Sequence, residues 1–110
     1  MLMVKSGSVD INGKDEHGHT PLYHASMWGM IEVVRALVEA GADLNQAREN
    51  GTTPQHVASY DGHLDVVKYL VEAGADINSS NYEGGTPLAL PRQGSHKKVV
   101  AYLKRAGATA

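Results

Sequence analysis

The sequence predicts an all-α repeat solenoid built of helix-turn-helix units. Two observations lead to this prediction. Several short motifs recur along the 110-residue chain at a constant spacing of 33 residues. The chain also contains 12 glycines, although glycine is unfavourable inside helices and strands. Many regularly placed turns between short helices account for both observations.

The repeat is defined by columns of identical or similar residues. Thr-Pro pairs occur at 20–21, 53–54 and 86–87, and Val-Val pairs occur at 33–34, 66–67 and 99–100. Gly-Ala pairs follow at 41–42, 74–75 and 107–108 in the same register. A fixed period of this length is the signature of a repeat architecture, in which stacked units share one continuous core.

Each unit carries the signals of two helices. The Thr hydroxyl caps free N–H groups and Pro suits a first helical turn, which predicts first helices near 21–28, 54–61 and 87–93. Apolar residues at helical spacing predict second helices near 31–40, 64–73 and 97–106. Gly29 and Gly62 end the first helices, and Gly41 and Gly74 follow the second helices, where a left-handed residue is favoured. Pro91 predicts a shortened or distorted helix in the third unit.

The 33-residue period, the Thr-Pro-Leu-His-like openings and the Gly-Ala-Asp-x-Asn endings closely resemble the ankyrin repeat. The resemblance covers roughly Val4 to Gly107 and implies two antiparallel helices followed by a projecting hairpin in each unit. We therefore expect one domain over 1–110. It consists of the tail of a preceding repeat (1–14), two repeats (15–47 and 48–80) and a C-terminal capping repeat (81–110).

Composition excludes several classes of protein. The chain has no Cys and a net charge of −2, so disulfides, thiolate metal sites and a strongly basic nucleic-acid binder are not expected. No apolar run approaches the roughly 20 residues of a membrane-spanning helix. We expect an intracellular protein, cytoplasmic or nuclear, that is a monomer and has no cofactor.

Two groups of residues raise the question of chemistry. His17, His19 and His24 cluster in sequence, but no second pair at metal-ligand spacing follows, and the repeat places His17 and His19 at a hairpin tip. Ser26 and Ser59 lie near histidines, yet the sequence identifies neither an orienting acid nor an oxyanion site for them. The sequence therefore favours a non-enzymatic protein with no metal site.

The resemblance also implies where a partner docks, because ankyrin stacks usually bind on the concave side formed by hairpin tips and first helices. Carried onto this sequence, those positions are Glu16, His17, His19, Met27, Trp28, Glu49, Asn50, Thr52, Tyr60, Asp61, Tyr82 and Glu83. Trp and Tyr are frequent interface hot spots. From the sequence alone, Trp28 and Tyr60 either form an exposed aromatic ledge or pack between units.

Three functional interpretations remain open at this point. The first is a protein-interaction module for a protein or peptide, with basic residues and an apolar anchor to match the acidic, aromatic surface. The second is a structural segment of a longer or engineered array without binding activity. The third is an anionic-ligand binder through the basic residues after Glu83, which serve equally well as a solvated cap. Asn45 and Asn78 also resemble sites of ankyrin asparaginyl hydroxylation, and turn stabilisation explains them as well.

Overall fold

A computed structural model describes residues 11–16, 18–47, 51–78 and 96–107. This part of the chain contains five α-helices and no strand. They are α1 (Pro21–Met27), α2 (Ile31–Glu39), α3 (Pro54–Tyr60), α4 (Leu64–Glu72) and α5 (Lys97–Arg105). α1 packs on α2 and α3 packs on α4, and the two helix pairs contact each other through α1 with α3 and α2 with α4. α5 continues the stack by packing on α4.

The predicted all-α repeat fold is therefore confirmed, and each observed helix ends one residue before its predicted end. The third first helix, predicted at 87–93 with a distortion at Pro91, lies outside the described residues. The same holds for most of the predicted hairpin tips, including 48–50 and 79–83. Between α2 and α3, Leu44 and Asn45 form a turn, and none of residues 43–47 lies in a strand.

The first helices begin as the Thr-Pro motif predicts. The Thr20 hydroxyl accepts a hydrogen bond from the Tyr23 amide at 3.1 Å. At α3 the cap is reciprocal: the Thr53 hydroxyl accepts from the His56 amide at 3.3 Å, and the Thr53 amide donates to His56 Nδ1 at 3.0 Å. Both caps satisfy N–H groups that a helix start would otherwise leave unpaired inside the stack.

A glycine–histidine contact joins the first helix pair to the second. Gly29 has a φ of +69°, and an added Cβ would lie 2.5 Å from His63 Nδ1. His63 Nε2 lies 2.9 Å from the carbonyl oxygen of Met27, 36 residues earlier. The contact recurs one unit later, where a Cβ at Gly62 would lie 2.5 Å from His96 Nδ1. Only a residue without a side chain lets the imidazole approach the backbone this closely.

An asparagine ladder provides a second link between units. Asn12 Oδ1 accepts a hydrogen bond from the Asp43 amide at 2.7 Å, and Asn45 Oδ1 accepts from the Asp76 amide at 2.9 Å. Within the first rung, Asp43 Oδ1 also accepts from the Asn45 amide at 2.9 Å. The recurring Asp-x-Asn triplet therefore closes its own turn and bonds the next unit, a role that accounts for Asn45 without any modification.

The core is a continuous row of aliphatic side chains from α2, α4 and α5. Val34, Leu37, Val66, Val67, Leu70, Val99 and Leu103 are all buried. At its edge, the Arg35 guanidinium lies 5.2 Å from the Tyr69 ring centre, and Lys68 Nζ lies 5.7 Å from that of Tyr102. Burial, with a smaller contribution from the Glu72 carboxylate, raises the pKa of Tyr102 above its usual value. The Tyr102 ring face attracts the Lys68 ammonium.

Among the described residues, three polar side chains are buried without a hydrogen-bond partner. Gln55 is fully buried, and neither its amide oxygen nor its amide nitrogen is bonded. The hydroxyls of Ser26 and Ser59 are buried and unpartnered as well. Leu22 occupies the Gln55 column in the first pair and is also buried. The second pair therefore places an amide where the fold offers an apolar site.

We predict that Gly29→Ala destabilises the protein by about 2–4 kcal/mol, the sum of left-handed backbone strain and overpacking against His63. Gly41→Ala is the matched control, because φ is +98° there and nothing lies within 4 Å of an added Cβ. It should cost about 1–2 kcal/mol, from strain alone. Urea unfolding of both variants measures the difference.

The same experiment on Gly29→Ala combined with His63→Ala isolates the contact. Removing the imidazole should make the glycine substitution about as mild as Gly41→Ala, because only strain then remains. Equal costs of Gly29→Ala and Gly41→Ala in the otherwise unchanged chain would contradict a close glycine–histidine contact.

We predict that Gln55→Leu stabilises the protein by about 1–3 kcal/mol, because it removes two buried and unsatisfied polar atoms at similar side-chain volume. Thermal and urea unfolding measure the change. Leu22→Gln makes the reverse change in the equivalent column and should destabilise the protein. A loss of stability in Gln55→Leu would mean that the amide has partners, such as buried water, that its surroundings do not reveal.

Candidate partner-binding surface

The candidate surface is centred on the C-terminal ends of α1 and α3. Trp28 caps α1, with its amide donating to the His24 carbonyl at 3.2 Å. Gly29 then turns the chain with a φ of +69°. Tyr60 is the last residue of α3, and Asp61 caps that helix before Gly62. The repeat therefore brings two helix ends with aromatic residues to equivalent places on adjacent units.

The side chains of Trp28 and Tyr60 are 64% and 48% exposed, so neither packs as core between units. The sequence left open whether Trp28 and Tyr60 are exposed or pack between units, and the structure shows that both are exposed. Met27, in the same column as Tyr60, is half-buried. Asp61 and Glu16 are exposed, and His19 and Thr52 are half-buried. Five predicted surface residues lie outside the described residues: His17, Glu49, Asn50, Tyr82 and Glu83.

The backbone on both sides of Trp28 is fixed by one imidazole. His63 bonds the carbonyl of Met27 at 2.9 Å and packs its ring against Gly29. Trp28 lies between these two residues, with its side chain exposed. The second helix pair therefore holds the backbone from which the exposed indole of the first pair projects. Because this backbone is already ordered, binding through Trp28 does not have to order it again.

Trp28 belongs to a run of rings along the first pair. His19 stacks on Tyr23 with ring centres 4.8 Å apart and an interplanar angle of 15°. His24 lies 6.3 Å from His19 and 6.4 Å from Trp28. The Asp15 carboxylate anchors the start of the run by accepting from the His19 amide at 2.9 Å. The run extends the aromatic surface along α1.

His24 was not among the surface residues predicted from the sequence. Its spacing of four residues from Trp28 places both on one face of a helix and is a signal that identifies it. The recorded ring contact of Trp28 is with His24, whereas the sequence suggested a ledge joining Trp28 to Tyr60. That ledge stays a prediction.

The residues with catalytic potential are placed unfavourably for chemistry. The Ser26 and Ser59 hydroxyls are buried and bonded to no base. His56 Nδ1 is occupied by the Thr53 backbone and lies 2.7 Å from the Thr53 hydroxyl. Among the described residues, no three His, Asp or Glu side chains group in a way that could hold a metal ion.

The basic end of the chain is observed on α5. Lys97, Lys98, Lys104 and Arg105 are all exposed. None of the described helices has the length and apolar character needed to cross a bilayer. Lys104 and Arg105 lie in the last turn of α5. The negative end of the helix dipole stabilises cations at this position. Their position is consistent with a solvated cap on the stack.

Two family models match the chain. One, described as ankyrin repeats (3 copies), matches residues 1–48, and the other, described as ankyrin repeats (many copies), matches residues 37–90. No curated protein matches the sequence. Ankyrin repeats are generally protein-interaction modules and are typically not enzymes. The matched models, the 33-residue period and the stacked helix pairs together show that this chain belongs to the ankyrin repeat family.

Proposed function

We propose that this protein is a non-catalytic interaction module that binds a partner protein or peptide on the face formed by the first helices and the adjoining hairpin tips. The observation that carries the proposal is the pair of exposed aromatic side chains, Trp28 and Tyr60, at equivalent helix ends. Isolated exposed apolar residues are common. Two large aromatics at equivalent ends of adjacent helices are better explained as contacts for a partner.

The chemistry of this surface favours a partner with an apolar anchor and basic residues. The indole of Trp28 and the phenol of Tyr60 offer faces that attract Arg or Lys. Exposed acids, Glu16 and Asp61, lie on the same predicted surface. Such acids speed and orient the approach of a basic partner more than they strengthen the final complex. A chain without Cys fits the intracellular setting that we propose.

The support beneath Trp28 adds to the proposal. The His63 contact fixes the backbone before and after Trp28, so the indole projects from a stretch of chain that is already ordered. Preorganised aromatic anchors bind more tightly than mobile ones, because less freedom is lost in the complex. A purely structural segment has no need of an exposed Trp held in this way.

The basic α5 helix supports a second, weaker candidate, an anionic ligand. Its four exposed cations include Lys97 and Lys104. In the preceding units, the columns of these two lysines contain Ile31 and Leu64, and Val38 and Val71. Lysine in columns that are aliphatic in the preceding units suits a face of the stack that is exposed to water. We therefore assign α5 to capping and test it as a control.

A pull-down with three baits tests the proposal: the unchanged chain, Trp28→Ala with Tyr60→Ala, and Lys104→Ala with Arg105→Ala. We expect the first double variant to lower retention of specific partners by at least about tenfold, since hot-spot truncations cost about 2 kcal/mol or more. The second should retain them. Unfolding midpoints establish that all three baits are folded.

Partners held equally by all three baits would contradict the assigned surface. Partners lost only with Lys104→Ala and Arg105→Ala, and released by moderate salt, would replace it with the anionic-ligand function. Absence of any specific partner that depends on Trp28 and Tyr60, in lysates from the relevant cell, would favour the structural segment.

A further inference from the structure

A histidine lies beside the exposed indole of the proposed partner surface. His24 is exposed on α1, and its ring centre lies 6.4 Å from that of Trp28 at an interplanar angle of 51°. The spacing of four residues keeps both side chains on one face of the helix end. Histidine is the side chain that ordinarily changes its charge between pH 5 and 8. The proposed contact for a cation therefore has a titratable neighbour.

The charge of the His24 ring bears on what Trp28 can bind. The two rings are tilted rather than stacked, and Trp28 stays 64% exposed, so a neutral imidazole leaves the indole open to an Arg or Lys of a partner. A protonated imidazole is itself a cation beside the indole, and it repels the incoming charge. Two unit charges about 6 Å apart at a protein surface change an affinity by about three- to tenfold.

α1 can carry a charged His24 ring without losing its structure. His24 lies in the last turn of α1, where the helix dipole stabilises a positive charge. Its side chain is exposed, so protonation does not bury a charge. His56 differs on both counts, because it is fully buried and its Nδ1 accepts a hydrogen bond from the Thr53 amide. A proton on His24 therefore changes the surface and leaves the fold intact.

The charged and titratable groups around the pair of rings are Lys14, Asp15, His19 and His63. The first three line the same depression as His24, to which α2 contributes apolar side chains. The Asp15 carboxylate is engaged by His19, since it accepts from the His19 amide at 2.9 Å and lies 4.0 Å from His19 Nδ1. His63 reaches the backbone beside Trp28 from α4. α3 carries no Asp, Glu, Lys or Arg. A test must therefore separate His24 from the other two histidines.

We propose that His24 is a proton switch on the partner surface. With a neutral imidazole, Trp28 binds the cationic anchor of the partner. With a protonated imidazole the anchor is repelled, so binding weakens by about three- to tenfold as the pH falls through the titration range of histidine. This inference rests on the proposed function, because it concerns regulation of the surface to which the partner is assigned.

Quenching of Trp28 fluorescence tests the switch on the full chain without a partner. Trp28 is the sole tryptophan, so indole emission reports on this surface alone. Caesium serves as a cationic probe, iodide as an anionic probe and acrylamide as a neutral one. At constant ionic strength, we expect the ratio of the iodide to the caesium quenching constant to rise about twofold from about pH 7.5 to about pH 5.5. The acrylamide constant should stay the same, because the exposure of Trp28 does not change.

Three variants separate His24 from its neighbours. His24→Gln should lose most of the rise, His24→Lys should show the high ratio at both pH values, and His19→Gln should keep the rise. Unfolding midpoints at both pH values establish that each variant is folded. A ratio that does not change with pH in the unchanged chain would overturn the proposal. An equal rise in His24→Gln would overturn it as well, and would assign the proton to another group such as His63.

The switch and the proposed function fail separately. The unchanged chain should hold a partner that depends on Trp28 about three- to tenfold more weakly at about pH 5.5 than at about pH 7.5, whereas His24→Gln should hold it equally at both. Equal binding by the unchanged chain at both pH values would overturn the switch and leave the assigned surface in place. Without any such partner the proposed function fails, and the quenching ratio still decides whether His24 sets the charge at Trp28.

Discussion

A single short helix pair cannot bury its own apolar face, so each pair in this protein depends on contact with the next one. Beside the apolar packing of the helices, three kinds of contact join the first pair to the second in the described part of the chain, and each has a counterpart between other units. They are the glycine–histidine contact of Gly29 with His63, the Asn45 bond to the Asp76 amide, and the Arg35 cation over Tyr69. Each depends on the 33-residue register, because a shift of one residue would separate all of the partners at once.

The presentation of the candidate surface follows from this register. Trp28 is exposed, but its backbone neighbours Met27 and Gly29 are both fixed by His63 of the next pair. Stability and the proposed function therefore depend on the same contact. The same register accounts for differences in burial, since Val66 and Pro54 of the second pair are buried by the first pair, whereas their equivalents Val33 and Pro21 are half-buried.

Much of the fold could be predicted from sequence, because helix starts and ends have local causes. Thr20 and Thr53 mark helix starts through their hydroxyls, and Gly29 ends a helix through its left-handed backbone. The His63 contact could not be predicted in the same way. It joins residues 36 apart, and the sequence shows that His63 shares a column with His96 without showing what that column touches.

The exposure of Trp28 was undecided for a related reason. Trp28 lies just past α1, where its burial depends on whether a neighbouring unit packs over it. Helical periodicity does not predict such contacts between units. The buried Gln55 amide is a different case. The repeat position of Gln55 could be predicted from Leu22, which lies 33 residues earlier. Its lack of a hydrogen-bond partner could not be predicted, because it depends on atoms contributed by more than one helix. Local patterns therefore predicted the elements, and the contacts between units decided the site.

Native-state hydrogen exchange in the unchanged chain and in His63→Ala tests most directly whether contacts between pairs hold this structure together. Ala42 and Ala75 provide matched probes, since each amide bonds a carbonyl in the preceding second helix, at 3.0 and 2.9 Å. If contacts between the pairs hold the structure together, the Ala42 and Ala75 amides should have opening free energies that agree within about 0.5 kcal/mol in the unchanged chain. In His63→Ala the two amides should have different and lower opening free energies. Unequal openings in the unchanged chain, or no effect of His63→Ala, would contradict it.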